Sequence, residues 1–145
     1  MKLVSVTANL HGGLGEELNW RNPITIRFDF DDGTAIHVRG ASDGETIVLD
    51  DLPLRDSFDM EEFGRIELRD LGGSLPPAFL GRDIARLNTV RLEGAAIGLL
   101  ITLHNGSTFG VWNYGDELYY GSFDDLILYD WGPEKPEIGN AISSH

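Results

Sequence analysis

Cysteine is absent from the 145 residues, which removes disulfides, thiolate metal centres and cysteine nucleophiles together. No apolar run approaches the ~20 residues that a membrane-spanning helix requires. The opening stretch "MKLVSVTANLHGG" holds one lysine, and its apolar residues are interrupted by Ser5, Thr7 and Asn9. Without a continuous apolar segment or a small-residue cleavage site it reads as a first strand rather than a signal peptide. The expected location is cytoplasmic. Positive charge is also scarce: 11 Lys and Arg stand against 24 Asp and Glu, a net charge of −13. Such a surface repels nucleic acid and anionic membranes, so neither is expected as a partner.

Catalytic signatures are missing as well. His11, His37, His104 and His145 include no pair three or four residues apart, the spacing that places two imidazoles on one metal. On strand and turn positions respectively, His37 and His104 are expected to be solvated. There is no G-x-S-x-G nucleophile turn and no glycine-rich loop opening a helix. "DFDDG", residues 29–33, starts like a calcium loop, but its acidic ligands do not continue and no glutamate closes it, so turn chemistry accounts for it. Asp116 and Glu117 are adjacent and point to opposite faces of an extended chain, which is no acid–base pair. No catalytic, cofactor-binding or metal-binding residue is assigned, and an enzyme is disfavoured.

What is present is alternation. The chain is 41% hydrophobic with 18 glycines, the composition of a folded, turn-rich domain. "LVSVTA", "ITIRFDF", "AIHVRG", "TIVLD", "RIELRD", "NTVRLEG", "GLLITL", "TFGVWNY", "LYYGS" and "LILYDW" all read as strands, separated by Gly, Asn and Asp. "SFDMEEFG" predicts a single helical turn capped by Ser57, and "LPPAFLGRDIARL" a proline-started loop with room for a short helix. The expected fold is mainly β: one antiparallel sandwich or partly open barrel over residues 1–131, with a loosely ordered tail over 132–145. Its core should include Val4, Val6, Ile26, Phe28, Ile36, Val38, Ile47, Leu49, Ile66, Leu68, Val90, Leu92, Leu99, Ile101, Phe109, Val111, Leu126 and Leu128.

Two hairpins can be specified to the residue. A two-residue Asp32-Gly33 turn would place Ile36 and Val38 on the face opposite Phe28 and Phe30. A three-residue Asp31-Asp32-Gly33 loop instead pairs Phe28 with Ile36 and gathers every apolar side chain on one face, with Gly33 at a left-handed position. By the same logic a His104-Asn105-Gly106 loop pairs Ile101 with Phe109 and Leu99 with Val111. Superposing the hairpins at an offset of 73 gives five identities in 28 positions, against roughly two expected by chance. Half-repeats over about 1–56 and 84–131 would explain this, and so would convergent hairpin grammar.

The hairpins differ on their outward faces. The first carries Arg27, Asp29, His37 and Arg39, an ordinary wet surface. The second carries Leu100, Thr102, Gly110, Trp112 and Tyr114, with Gly98 opposite Trp112. It is therefore either a strand pair covered by a second layer of the same chain or an aromatic surface for a partner or ligand.

Charge adds the remaining clue. Residues 29–70 hold thirteen acids and four arginines, and residues 116–137 hold seven acids and one lysine. Of Asp50, Asp51, Asp56, Asp59, Glu61 and Glu62, most fall outside regular strand positions, in loops where a β scaffold presents recognition residues. Phe58, Met60 and Phe63 are the local apolar anchors. The leading expectation is a non-enzymatic acidic inhibitor of a basic protein, an immunity-type protein facing a nuclease-type toxin. It would use those acids and Phe58, with Trp112 and Tyr114 as a further contact surface. The alternative is a ligand-binding or enzymatic barrel with a pocket around Trp112 and Tyr114. A structural subunit with a symmetric apolar interface is a third possibility, and the oligomeric state is left open.

Overall fold

Both three-residue loops form as the apolar pattern demands. Phe28 pairs with Ile36 and Ile101 with Phe109. The loops close through Phe30 N–H to Thr34 O and Leu103 N–H to Ser107 O, and Gly33 and Gly106 take φ of 86° and 89°. Around them the computed structural model, which describes residues 1–142, folds as two antiparallel sheets. The strands are β1 (Leu3–Gly12), β2 (Thr25–Phe30), β3 (Ala35–Gly40), β4 (Ile47–Asp50), β5 (Phe58–Asp59), β6 (Arg65–Asp70), β7 (Ile84–Leu92), β8 (Ala95–Leu103), β9 (Thr108–Tyr114), β10 (Glu117–Gly121) and β11 (Glu137–Ala141). One short α-helix among the described residues, α1 (Phe123–Ile127), follows β10.

The first sheet runs β4-β3-β2-β1-β6-β5 and the second β10-β9-β8-β7-β11. They are not closed into a barrel. Each contains a four-strand meander, β1–β4 and β7–β10. Within these the β2–β3 and β8–β9 hairpins share one register at the offset of 73, whereas the following turn does not. His37 pairs with Asp50, but Gly110 pairs with Gly121, so β10 returns two residues earlier and Asp51 and Asp124 are not equivalent.

Between the sheets lies the core. Val6, Ala8, Leu10, Ile26, Phe28 and Val38 of the first sheet meet Leu87, Leu99, Ile101, Phe109 and Val111 of the second. Phe109 sits at its centre, edge-on to Phe28 at 6.2 Å and to Phe79 at 6.1 Å. Four expected core positions behave differently. Val4 is 54% exposed, because a bulge between Leu3 and Ser5 turns Leu3 inward in its place. Ile66 is buried as expected, at 7% exposure, but it and the half-buried Leu68 lie on the outer side of the sheet with His11 and Asn9. The inward side of β6 carries an Arg65–Glu67–Arg69 ion ladder instead. Leu128 is 82% exposed.

Leu128 marks the one misassigned strand. "LILYDW" is preceded by Ser122, whose hydroxyl accepts from Asp125 N–H while the Asp125 carboxylate accepts from Ser122 N–H. This capping box starts a helix, and a helical turn buries Leu126 while carrying Leu128 round to solvent. The "SFDMEEFG" segment also differs. Ser57 accepts from Leu68 N–H, Phe58–Asp59 pair with β6, and the 3-10 turn begins only at Glu61. "LPPAFLGRDIARL" forms turns leading into β7, without a helix. Within the tail, β11 pairs antiparallel with β7 as an edge strand, and residues 143–145, including His145, lie outside the described residues.

Candidate functional site

In the first sheet β4 and β5 occupy opposite edges, five strand spacings apart, about 24 Å at ~4.8 Å each. Eight residues from Asp50 to Phe58 span about 26 Å when extended. The connection therefore has to run nearly straight across the outer face of the sheet, and β2, β1 and β6 each hold it. Arg27 of β2 donates to the Asp51 and Leu52 carbonyls at 3.0 and 2.8 Å. Asn9 of β1 donates to Arg55 O at 2.8 Å and accepts from Arg55 N–H at 3.2 Å. Leu68 of β6 donates to Ser57. Beneath this strap a cavity of about 400 Å³ is lined by His37, Leu54, Phe58, Met60 and Ile66, among others.

The strap changes the reading of the first hairpin. His37, expected on a wet face, is 6% exposed, and its Nδ1 lies 2.7 Å from Asp50 Oδ1. Asp50 is thus a structural group rather than a free recognition carboxylate. It also pairs with Arg39 at 3.7 Å and accepts from Leu52 N–H. Burial raises its pKa, but the hydrogen bonds from Leu52 and His37 and the nearby charges of His37 and Arg39 outweigh that and lower it overall.

The other predicted acids lie on the strap, on β5 and on the turn that follows it. Asp51, Asp56, Asp59, Glu61 and Glu62 are all exposed. Among the described residues none of them has a basic group within 4 Å, whereas Asp29, Asp50 and Glu67 do. Phe58 is half-buried, with the Arg55 guanidinium 4.4 Å above its ring, and Met60 is half-buried too. Phe63 alone of the three anchors is free, at 72% exposure. Its turn is seated firmly: Gly64 has φ of 90°, and a Cβ there would lie 2.0 Å from Gly12 O.

Trp112 belongs to neither the strap nor a partner surface. It is 1% exposed and packs with Val90, Ile97, Leu100 and Leu126 in a second core on the outer side of the second sheet. The covering layer is α1 and the segment after it. Tyr129 meets Trp112 edge-to-face at 5.5 Å, and Trp131 donates to Leu126 O at 2.8 Å. β8 is the middle strand, covered on both sides, which explains its unbroken apolar run. Close packing needs the glycines: a Cβ at Gly98 would meet Val111 O at 2.6 Å and Trp112 Cβ at 3.0 Å. Tyr114 is half-buried, donates to Asp130 O at 3.0 Å and touches Tyr129 and Trp131.

A groove of about 580 Å³ remains beside this layer, lined in part by Arg21, Tyr119, Tyr120, Asp125 and Tyr129, with Trp112 at its floor. Among the described residues the Trp112 indole N–H has no hydrogen-bond acceptor. None of Arg21, Tyr119, Asp125 and Tyr129 was marked in the sequence: Arg21 is remote in the chain, and a strand reading of "LILYDW" hid the helical turn that brings Tyr129 over Tyr119. Asn9, Arg27 and His37 were equally hidden as strap holders, although their shared outward parity was visible. No helix among the described residues is long and apolar enough to cross a membrane. No protein-family model, curated protein or solved structure matches the chain.

Proposed function

We propose that this protein is a non-enzymatic inhibitor that neutralises a basic protein, in the manner of an immunity protein facing a nuclease-type toxin, and that the strap together with β5 and the turn after it is its recognition element. The observation that carries the proposal is five exposed carboxylates without an ion-pair partner among the described residues: Asp51 and Asp56 on the strap, tied to the sheet at Arg27, Asn9 and Leu68, and Asp59, Glu61 and Glu62 on β5 and the turn after it, paired to β6. A tied backbone presents charge with little ordering cost on binding. An uncompensated negative field accelerates encounter with a positive surface. Phe63 and Leu14, both largely exposed, supply the apolar contact that electrostatic steering lacks.

The test replaces Asp51, Asp56, Asp59, Glu61 and Glu62 with their amides. Association is then measured across ionic strength with a Lys/Arg-rich protein encoded beside this chain. The on-rate at low salt is expected to fall about tenfold or more and to lose most of its salt dependence. Phe63→Ala should weaken binding by about 2 kcal/mol or more, with unfolding changed by no more than about 0.5 kcal/mol. An unchanged rate and salt dependence in the amide variant would refute the strap's role.

A further inference from the structure

The groove over Trp112 lies on the outer side of the second sheet, and the strap covers the outer side of the first, so the two are on opposite faces of the sandwich. Tyr119 sits directly across from Trp112 in the β9–β10 pair. Tyr129 packs edge-to-face against both, at 5.1 Å from Tyr119 and 5.5 Å from Trp112. Over the Tyr119 ring lies the Arg21 guanidinium, its central carbon 5.6 Å from the ring centroid. Arg21 is exposed, and among the described residues no carboxylate comes within 4 Å of it. It rests on aromatic surface, outside any ion pair.

We infer that this groove is a recognition site for a guanidinium side chain, with Arg21 as its internal stand-in. Ring faces are the negative part of an aromatic quadrupole and attract a cation laid over them. The other charges around the rings are carboxylates: Asp125 lines the groove, and Glu117 accepts from the Tyr119 hydroxyl at 3.3 Å. An anion would meet both of them with only Arg21 in its favour. A planar, weakly hydrated guanidinium stacks on a ring more readily than a compact ammonium, which sets arginine above lysine. Burial pushes the Tyr129 phenol above its ordinary value, and the neighbouring Arg21 draws it part-way back. The same guanidinium thus neighbours both Tyr119 and Tyr129.

The inference goes beyond the strap reading and stands or falls separately from it, since its probes need no protein partner. An incoming guanidinium must displace Arg21, which competes at the high effective concentration of a tethered group. Arg21→Ala empties the site without touching a buried residue. The indole N–H signal of Trp112 is followed by NMR while L-arginine amide, or a blocked Gly-Arg-Gly peptide, is titrated. Arg21→Ala should bind at least one of them saturably, about tenfold or more tightly than the unaltered protein. L-lysine amide should bind more weakly. Adding Tyr119→Leu should abolish the response while the rest of the spectrum stays dispersed. Equal response to both arginine probes means the side chain suffices; response to the peptide alone assigns the site to chain-borne arginine. Either outcome supports the site. No saturable shift with either probe in Arg21→Ala at millimolar concentrations, or binding that survives Tyr119→Leu, overturns it.

Discussion

At the residue scale, Trp112 and Asp50 show how position overrides type. An aromatic at an outward strand position is a partner contact only if nothing of its own chain lies above it. Here α1 and Tyr129 do, and the indole is among the largest fully buried side chains of the protein. Trp112→Ala is expected to cost about 3–5 kcal/mol in urea unfolding, because Gly98 and Gly110 are already shaped around their neighbours and cannot fill the void. A loss below about 1 kcal/mol would mean that the covering layer opens readily. Asp50 is the converse case: a carboxylate in an acidic run whose oxygens serve His37, Arg39 and the strap backbone.

At the element scale, the strap is the unusual feature. Its seven residues, 51–57, have no regular secondary structure and depend on side chains of other strands for their hydrogen bonds. Asn9 is the central tie, buried and bonded twice to Arg55. Asn9→Ala leaves the Arg55 N–H and C=O without that partner and should destabilise the fold by about 1–3 kcal/mol. It should also expose residues 51–57 to proteolysis and rapid amide exchange before global unfolding. Equal protection of that segment in the variant and the parent would show that the strap is held by its ends alone. The α1 layer depends on sequence-local chemistry instead. Its capping box is visible in "SFDD" once Ser122 is taken as the cap, and the alternation of Leu126 and Leu128 concealed it.

At the scale of the whole molecule, the net charge of −13 is partly committed to structure. Glu67 is held below its ordinary pKa by Arg65 and Arg69, Asp32 by Thr34, Asp43 by Thr46 and Glu45, and Asp50 by the balance described above. Each of these is depressed on folding. The stability they contribute is therefore complete above the unfolded values, near pH 4, and is lost as pH falls through the lower folded values. Unfolding free energy measured by denaturant should hold from pH 7 to about 5 with respect to these groups, then decline steadily toward pH 2. Asp50→Asn should make the decline shallower. A stability that rose continuously below pH 4 would show that relief of self-repulsion outweighs these bonds.

The period-2 pattern by itself determined the β class, the boundaries of β3, β6 and β9, the loop length of two hairpins and the register within them. A one-residue slip in a half-buried strand moves its whole apolar set to the wrong face, so that information is local and strongly constrained. The two-sided apolar character of β8–β9 also announced a covering layer, without saying whether self or partner supplies it. Tertiary structure decided what covers what. Strand order put β4 and β5 at opposite edges and forced the strap across Asn9, Arg27 and His37. It also left β6 with an ion ladder on the inward face and brought Arg21 over Tyr119 from ninety-eight residues away. Such juxtapositions depend on the order in which strands pair, and each strand's own alternation is the same whichever neighbour it takes.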